Sequence, residues 1–164
     1  MSHPMTAPRD HGWIPRADRR WLLLPYAVFI VHTTEEMPGF AAWATRHFAH
    51  KTTEIFALSH IPLILLVLAA GWLAARPGTH RVAVLWTAAF AWQFVVNAAF
   101  HLTTAAIYGE YSPGMVTAAT VAIPAAGYFF VRLRADRLLR RGELVTALLL
   151  GTAIAALAIG VLFV

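Results

Sequence analysis

Five apolar runs constrain this chain more than any other feature: residues 21–37, 53–75, 81–108, 113–133 and 143–164. About 20 helical residues cross the ~30 Å hydrocarbon core of a bilayer. Inside that core every backbone N–H and C=O must find its partner within the protein, so open strands and lipid-exposed loops are excluded. The runs therefore predict an all-α fold, a polytopic membrane bundle of about five transmembrane helices. Composition agrees, with 59% of the 164 residues hydrophobic and 13% charged, far from the soluble balance. Residues 1–20, proline-bearing and mixed in charge, read as a disordered cytoplasmic tail, and 21–164 as a single transmembrane helical domain.

Basic residues orient the bundle. With five spans, Arg9, Arg16, Arg19, Arg20, Arg76, Arg81, Arg132, Arg134, Arg137, Arg140 and Arg141 fall on one side, and only Arg46 and Lys51 on the other. Eleven against two predicts a plasma (inner) membrane protein with its N-terminus cytoplasmic and its C-terminus outside. The formal charge of +5 does not imply nucleic acid, because the arginines end apolar runs instead of forming a patch with exposed aromatics. Arg19-Arg20 followed by Trp21–Val31 also has the form of a cleavable signal. The run leads into HTTEE rather than a small-residue cleavage site, which favours a retained span.

Local signals refine the boundaries. Pro38-Gly39 stops the first helix, after which Phe40, Trp43, His47 and Phe48 recur at helical spacing, predicting a short interfacial helix over the outer mouth. Thr52 or Thr53 caps the second span, and Ser112-Pro113 places an N-cap and an N1 proline at the fourth. Trp21, Trp72 and Trp86 belong to the inner aromatic belt and Trp43 to the outer one. Gly151, Ala155 and Ala156 offer the fifth span a close-packing face.

Ionisable residues in hydrocarbon are expensive and tend to be functional. Three spans carry a histidine at matching depth. At 1.5 Å rise per residue, His32 lies ~8 Å below the outer end of its span, His60 ~10 Å and His101 ~10 Å. Glu35 and Glu36 flank His32 at i+3 and i+4. In the third span Gln93, Asn97, His101, Thr104 and Tyr108 form a polar stripe that must face the interior, and Thr117, Thr120 and Tyr128 repeat it weakly in the fourth. With no cysteine, thiolate ligands and disulfides are excluded, so a metal would need His, Glu, Asp or Asn.

HTTEE, Asn97-x-x-x-His101 and Tyr111-Ser112-Pro113-Gly114 resemble, in order, the H-x-x-E-E, N-x-x-x-H and Y-x-P-G signatures of the HXXEE-domain family of integral membrane proteins. The resemblance covers roughly residues 21–133. It implies a multi-spanning membrane enzyme whose three motifs form one site, and it supplies no reaction or substrate. His60 lies outside these signatures and rests on the depth argument alone.

The leading expectation is a metal-dependent membrane enzyme acting on a lipophilic substrate. The ligands expected are His32, one or both of Glu35 and Glu36, and His101, with His60 a candidate further one, for zinc or non-haem iron. Asn97 orients a ligand or substrate, and Tyr111 donates to a substrate at the mouth. One alternative is a metal-free acid–base isomerase or cyclase of a lipid or terpenoid, in which a desolvated glutamate protonates the substrate. Another is a small transporter or ion-binding membrane protein, disfavoured because the polar groups crowd one leaflet.

Overall fold

The computed structural model describes residues 19–76 and 78–164, apart from the side chain of Ser59. Of the expected tail, only Arg19 and Arg20 fall within the described residues, Arg20 opening a 3-10 turn, Arg20–Leu23. Six helices follow among the described residues: α1 (Leu24–Glu36), α2 (Phe40–His47), α3 (Thr53–Ala75), α4 (Arg81–Tyr108), α5 (Met115–Ala135) and α6 (Arg141–Gly160). The fold is an all-α bundle, and α3, α4, α5 and α6, the last with its terminal 3-10 turn, are long and apolar enough to cross a membrane. The first helical segment, Arg20 to Glu36, is shorter than these and more polar at its end.

Side-chain contacts show how the passes alternate. At one end Trp21 meets Phe129, the Arg132 guanidinium lies 5.7 Å from the Trp21 ring centre, and Arg81 approaches Glu143 at 3.9 Å. At the other end Tyr111 bonds Glu35, Arg46 bonds Glu110, and Lys51 reaches the carbonyls of Val161 and Val164. The described arginines other than Arg46 thus gather at the first end, and the HTTEE segment ends at the second.

Small residues set the packing. Gly151 of α6 lies against the backbone of Ala89 in α4, so close that a Cβ would collide with the Ala89 carbonyl oxygen. Ala147 and Ala155 are buried on the same face, whereas Ala156 is exposed and takes no part in it. Gly151→Ala should destabilise the bundle by ~1–3 kcal/mol, the usual cost of overpacking, read as a lower unfolding midpoint in detergent. Tyr26 of α1 fills the space left by Gly71 of α3 and donates to Thr87 Oγ1 of α4 at 2.8 Å, while Thr87 donates to the Ala83 carbonyl. That bond satisfies a buried phenol in an apolar layer.

Two local features differ from the sequence expectation. Trp43 is only 1% exposed, so it belongs to no belt; α2 buries it against Phe40, Phe48 and Phe100. Trp72 and Trp86, at 60% and 52% exposure, do face outward. In α5, residues Ala118–Ala122 form a π turn. Pro124 has no N–H to give the Thr120 carbonyl, which loosens the ladder just upstream. The shifted register turns Thr117 inward and leaves Thr120 and Tyr128 exposed, so only the first member of the expected polar repeat faces the interior.

Exposed ties fasten α2. His47 and Arg46 both bond Glu110 Oε1, at 2.7 and 3.0 Å, and hold its carboxyl below the usual carboxylate range. A depressed folded value means the tie is complete above the ordinary carboxylate range and fades as pH falls through the folded one. The protection of Phe40–His47 amides, measured against their intrinsic exchange rates, should therefore fall once the pH drops below the ordinary carboxylate range, more than that of α4.

Candidate functional site

The end of α1, the last third of α4 and the start of α5 meet at one point. His32, Glu36 and His101, all buried, bring one ligand atom each to within 4.8 Å of the others. Their rings and carboxylate arrive there because the HTTEE turn and the Asn97–His101 turn lie at equal depth on facing helices. The His32 and His101 ring centres are 5.1 Å apart.

Hydrogen bonding assigns the outward nitrogens. His32 Nδ1 lies 2.8 Å from Thr117 Oγ1, and that hydroxyl donates to the Gly114 carbonyl at 3.3 Å. The hydroxyl therefore accepts the Nδ1 proton, which leaves the His32 Nε2 lone pair facing inward. There it receives Asn97 Nδ2 at 2.8 Å and lies 3.4 Å from Glu36 Oε1. His101 repeats the pattern, with Nδ1 3.0 Å from Ser112 Oγ and Nε2 3.1 Å from the same Glu36 oxygen. That approach is off the hydrogen-bond line, so His101 Nε2 is buried without a hydrogen-bond partner among the described residues. Buried polar atoms of this kind ask for an explanation, an ion among them.

The Tyr111–Gly114 turn seals the cluster. Gly114 has φ +100°, a left-handed conformation that favours glycine. A Cβ there would sit 2.8 Å from His32 Cε1, 2.9 Å from His101 Cε1 and 3.1 Å from Glu36 Cγ, so the backbone itself lies against the triad. Pro113 packs on Gly39, joining the two turns. Ser112 is fully buried and is not the helix cap expected from sequence; its hydroxyl positions His101 instead.

Glu35 supplies the cap. Its carboxylate accepts from Val116 N at 3.1 Å, Thr117 N at 2.7 Å and the Tyr111 hydroxyl at 2.5 Å. A carboxylate on the free amides of a helix start is favoured by both hydrogen bonding and the helix dipole. Glu35 and Tyr111, expected as catalytic groups, and Glu35 as a ligand, therefore lie beside the triad and join α1 to α5. Glu35→Ala should cost ~1–2 kcal/mol of stability through the lost cap while leaving the triad's own contacts in place, as thermal unfolding in detergent can measure. His60 stands apart as well. Its Nδ1 donates to the Phe56 carbonyl at 2.7 Å and its ring stacks on Phe56 and Phe29.

A cavity of about 390 Å³ adjoins the triad, with His32, Glu36 and Asn97 on one wall and Phe29, Phe94 and Leu63 among its apolar lining. His60 and Gln93 also face it. Sequence reasoning missed Thr117 and Ser112 as imidazole anchors and Gly114 as the floor of the site. The signal for the glycine was available, since a Pro-Gly turn asks for a positive φ.

An all-helical bundle with membrane-crossing helices and a buried His–Glu–His cluster defines the class. Residues 21–129 match the family model described as "Protein of unknown function with HXXEE motif", and the chain belongs to that family. No curated protein and no solved structure matched.

Proposed function

We propose that the chain is a membrane enzyme that holds one divalent transition metal, zinc or non-haem iron, on His32 Nε2, His101 Nε2 and Glu36, and acts on a lipophilic substrate. The observation carrying this reading is the convergence of two buried Nε2 atoms on one carboxylate oxygen at 3.1 and 3.4 Å. Tetrahedral ligands with bonds of ~2.0–2.1 Å stand ~3.3 Å apart, so the spacing fits a shared ion. Both imidazoles are held through Nδ1 by a hydroxyl, the support that metal-binding histidines ordinarily have. Two histidines and a glutamate leave a fourth position for water or substrate. A bound ion there supplies an activated water or polarises a substrate oxygen.

This chain's own residues do the rest. Thr117 and Ser112 fix the ring planes, the Gly114 backbone lies against the triad and closes that side of it, and Asn97 stands where it can turn its amide from His32 to a group at the open position. The arginine-rich end belongs in the cytoplasm by the positive-inside rule, which puts the site in the outer half of the membrane.

One contact favours a second reading. Asn97 Nδ2, at 2.8 Å, already uses the His32 Nε2 lone pair, an arrangement suited to a metal-free site in which Glu36 passes a proton to a lipid or terpenoid. Cobalt(II) titration of chelator-treated protein separates the two. The metal reading expects about one cobalt per chain with the visible spectrum of a tetrahedral site, absent in His101→Ala. Equal, weak uptake by both proteins would leave the proton-transfer reading.

A further inference from the structure

The cavity beside the triad is built to be entered sideways. Its aqueous end is roofed: Ala49 N donates to the Leu162 carbonyl at 2.9 Å, and Lys51 Nζ donates to the carbonyls of Val161 and Val164. Trp43 and Phe40 of α2 are buried beneath the same roof. The flank between α3 and α6 is different. There the lining residues are Ile55 and Leu63 of α3, 65% and 38% exposed, and Ile159 of α6, on two of the most apolar helices of the bundle. An opening walled by such side chains faces hydrocarbon rather than water.

Inside, the wall is largely aromatic and aliphatic, and two of its polar groups beyond the triad are left unpaired. Thr33 Oγ1, one residue from His32, and Gln93 Oε1, one helical turn from Asn97, are both buried with no hydrogen-bond partner among the described residues. Unpaired polar atoms in an apolar cavity mark where a ligand's polar atoms go. Gln93 Oε1 only accepts, so the group it takes must donate. It lies ~6 Å deeper than Asn97 along α4, at four residues of 1.5 Å.

We infer that the cavity admits a single-chain lipid alcohol from the bilayer, through a portal between α3 and α6, with its hydroxyl donating to Gln93 Oε1 and its chain along Phe29, Phe94 and Leu63. The inference rests on the triad being the reacting centre, and it names the substrate class and its route. A phosphate headgroup is a poor fit, since Lys51, the cationic side chain on the lining, is engaged by backbone carbonyls of the roof and Glu36 is anionic.

The test uses the full chain in phosphatidylcholine nanodiscs with two probes, a hexadecanol carrying a mid-chain diazirine and its methyl ether. After photolysis, the alcohol should label peptides containing Phe29, Leu63 and Phe94. The ether should label them about tenfold less, the factor that one buried hydrogen bond carries. Gln93→Leu should bring the alcohol down to the level of the ether, and Ile159→Trp, which fills the portal, should suppress both. Equal labelling by alcohol and ether, or label confined to outward residues such as Leu66 and Leu149 in every variant, would overturn the inference. Metal content measured on the same samples keeps the two readings apart. Cavity labelling without metal sinks the metal reading alone, and one metal per chain without cavity labelling sinks the lipid alcohol alone.

Discussion

Glu36→Gln is expected to abolish stoichiometric metal binding and to reduce turnover by at least ~10³-fold, while Glu35→Gln keeps its metal. The two glutamates are neighbours in sequence and opposites in use. Glu36 Oε1 is the atom both imidazoles face, at 3.1 and 3.4 Å, and Glu36 itself is only 8% exposed. An amide there offers no charge to balance a cation in a low-dielectric site, and ligand loss ordinarily removes the metal and the chemistry together. Glu35 spends its oxygens on Val116, Thr117 and Tyr111, and an amide oxygen can still accept part of that set. Elemental analysis of the two variants side by side checks the split. Equal metal loss from both would show that the capping carboxylate is also a ligand.

Gly114→Ala is expected to damage the fold and the site together. Two costs add. The backbone at φ +100° is strained by ~1–3 kcal/mol for a residue with a Cβ. The methyl would also lie within 3.1 Å of three site residues, and overpacking costs ~1–3 kcal/mol more. Because the atoms met are His32 Cε1, His101 Cε1 and Glu36 Cγ, relief by movement would pull the triad apart. Loss of several kcal/mol of stability together with metal binding should follow, seen as a lowered unfolding midpoint and an empty site in surviving protein. Gly109→Ala is the matched control, since Gly109 has φ +66° but nothing near its missing Cβ. It should cost strain only and leave the site intact.

Much of this architecture can be read from the chain because apolar length and polar depth are one-dimensional quantities. The bounds of α3 and α4 coincide with runs 53–75 and 81–108. The arginines end those runs, and His32, Asn97 and His101 meet because their positions along facing helices match. Rotation about the helix axis is harder to read. Adjacent Glu35 and Glu36 differ by about 100° around α1, and which one enters the site depends on where α5 begins. That start depends in turn on Gly114 and on the π turn before Pro124, neither of which follows from hydropathy. The same local geometry moved Ser112 from a helix cap to the partner of His101, and Glu35 from the site to the cap. Trp43 escapes the belt assignment because α2 turns its indole in among Phe40, Phe48 and Phe100, a packing event invisible to periodicity.

Whether His32, Glu36 and His101 share one metal is decided by X-ray absorption at the edge of whatever transition metal elemental analysis finds in protein purified without added metal or chelator. A shared site gives about one zinc or iron per chain, with a first shell of nitrogen and oxygen at ~2.0–2.2 Å and the outer-shell signature of two imidazoles, which falls to one in His101→Ala. Substoichiometric metal, or a first shell without imidazole that is unchanged in His101→Ala, would contradict it.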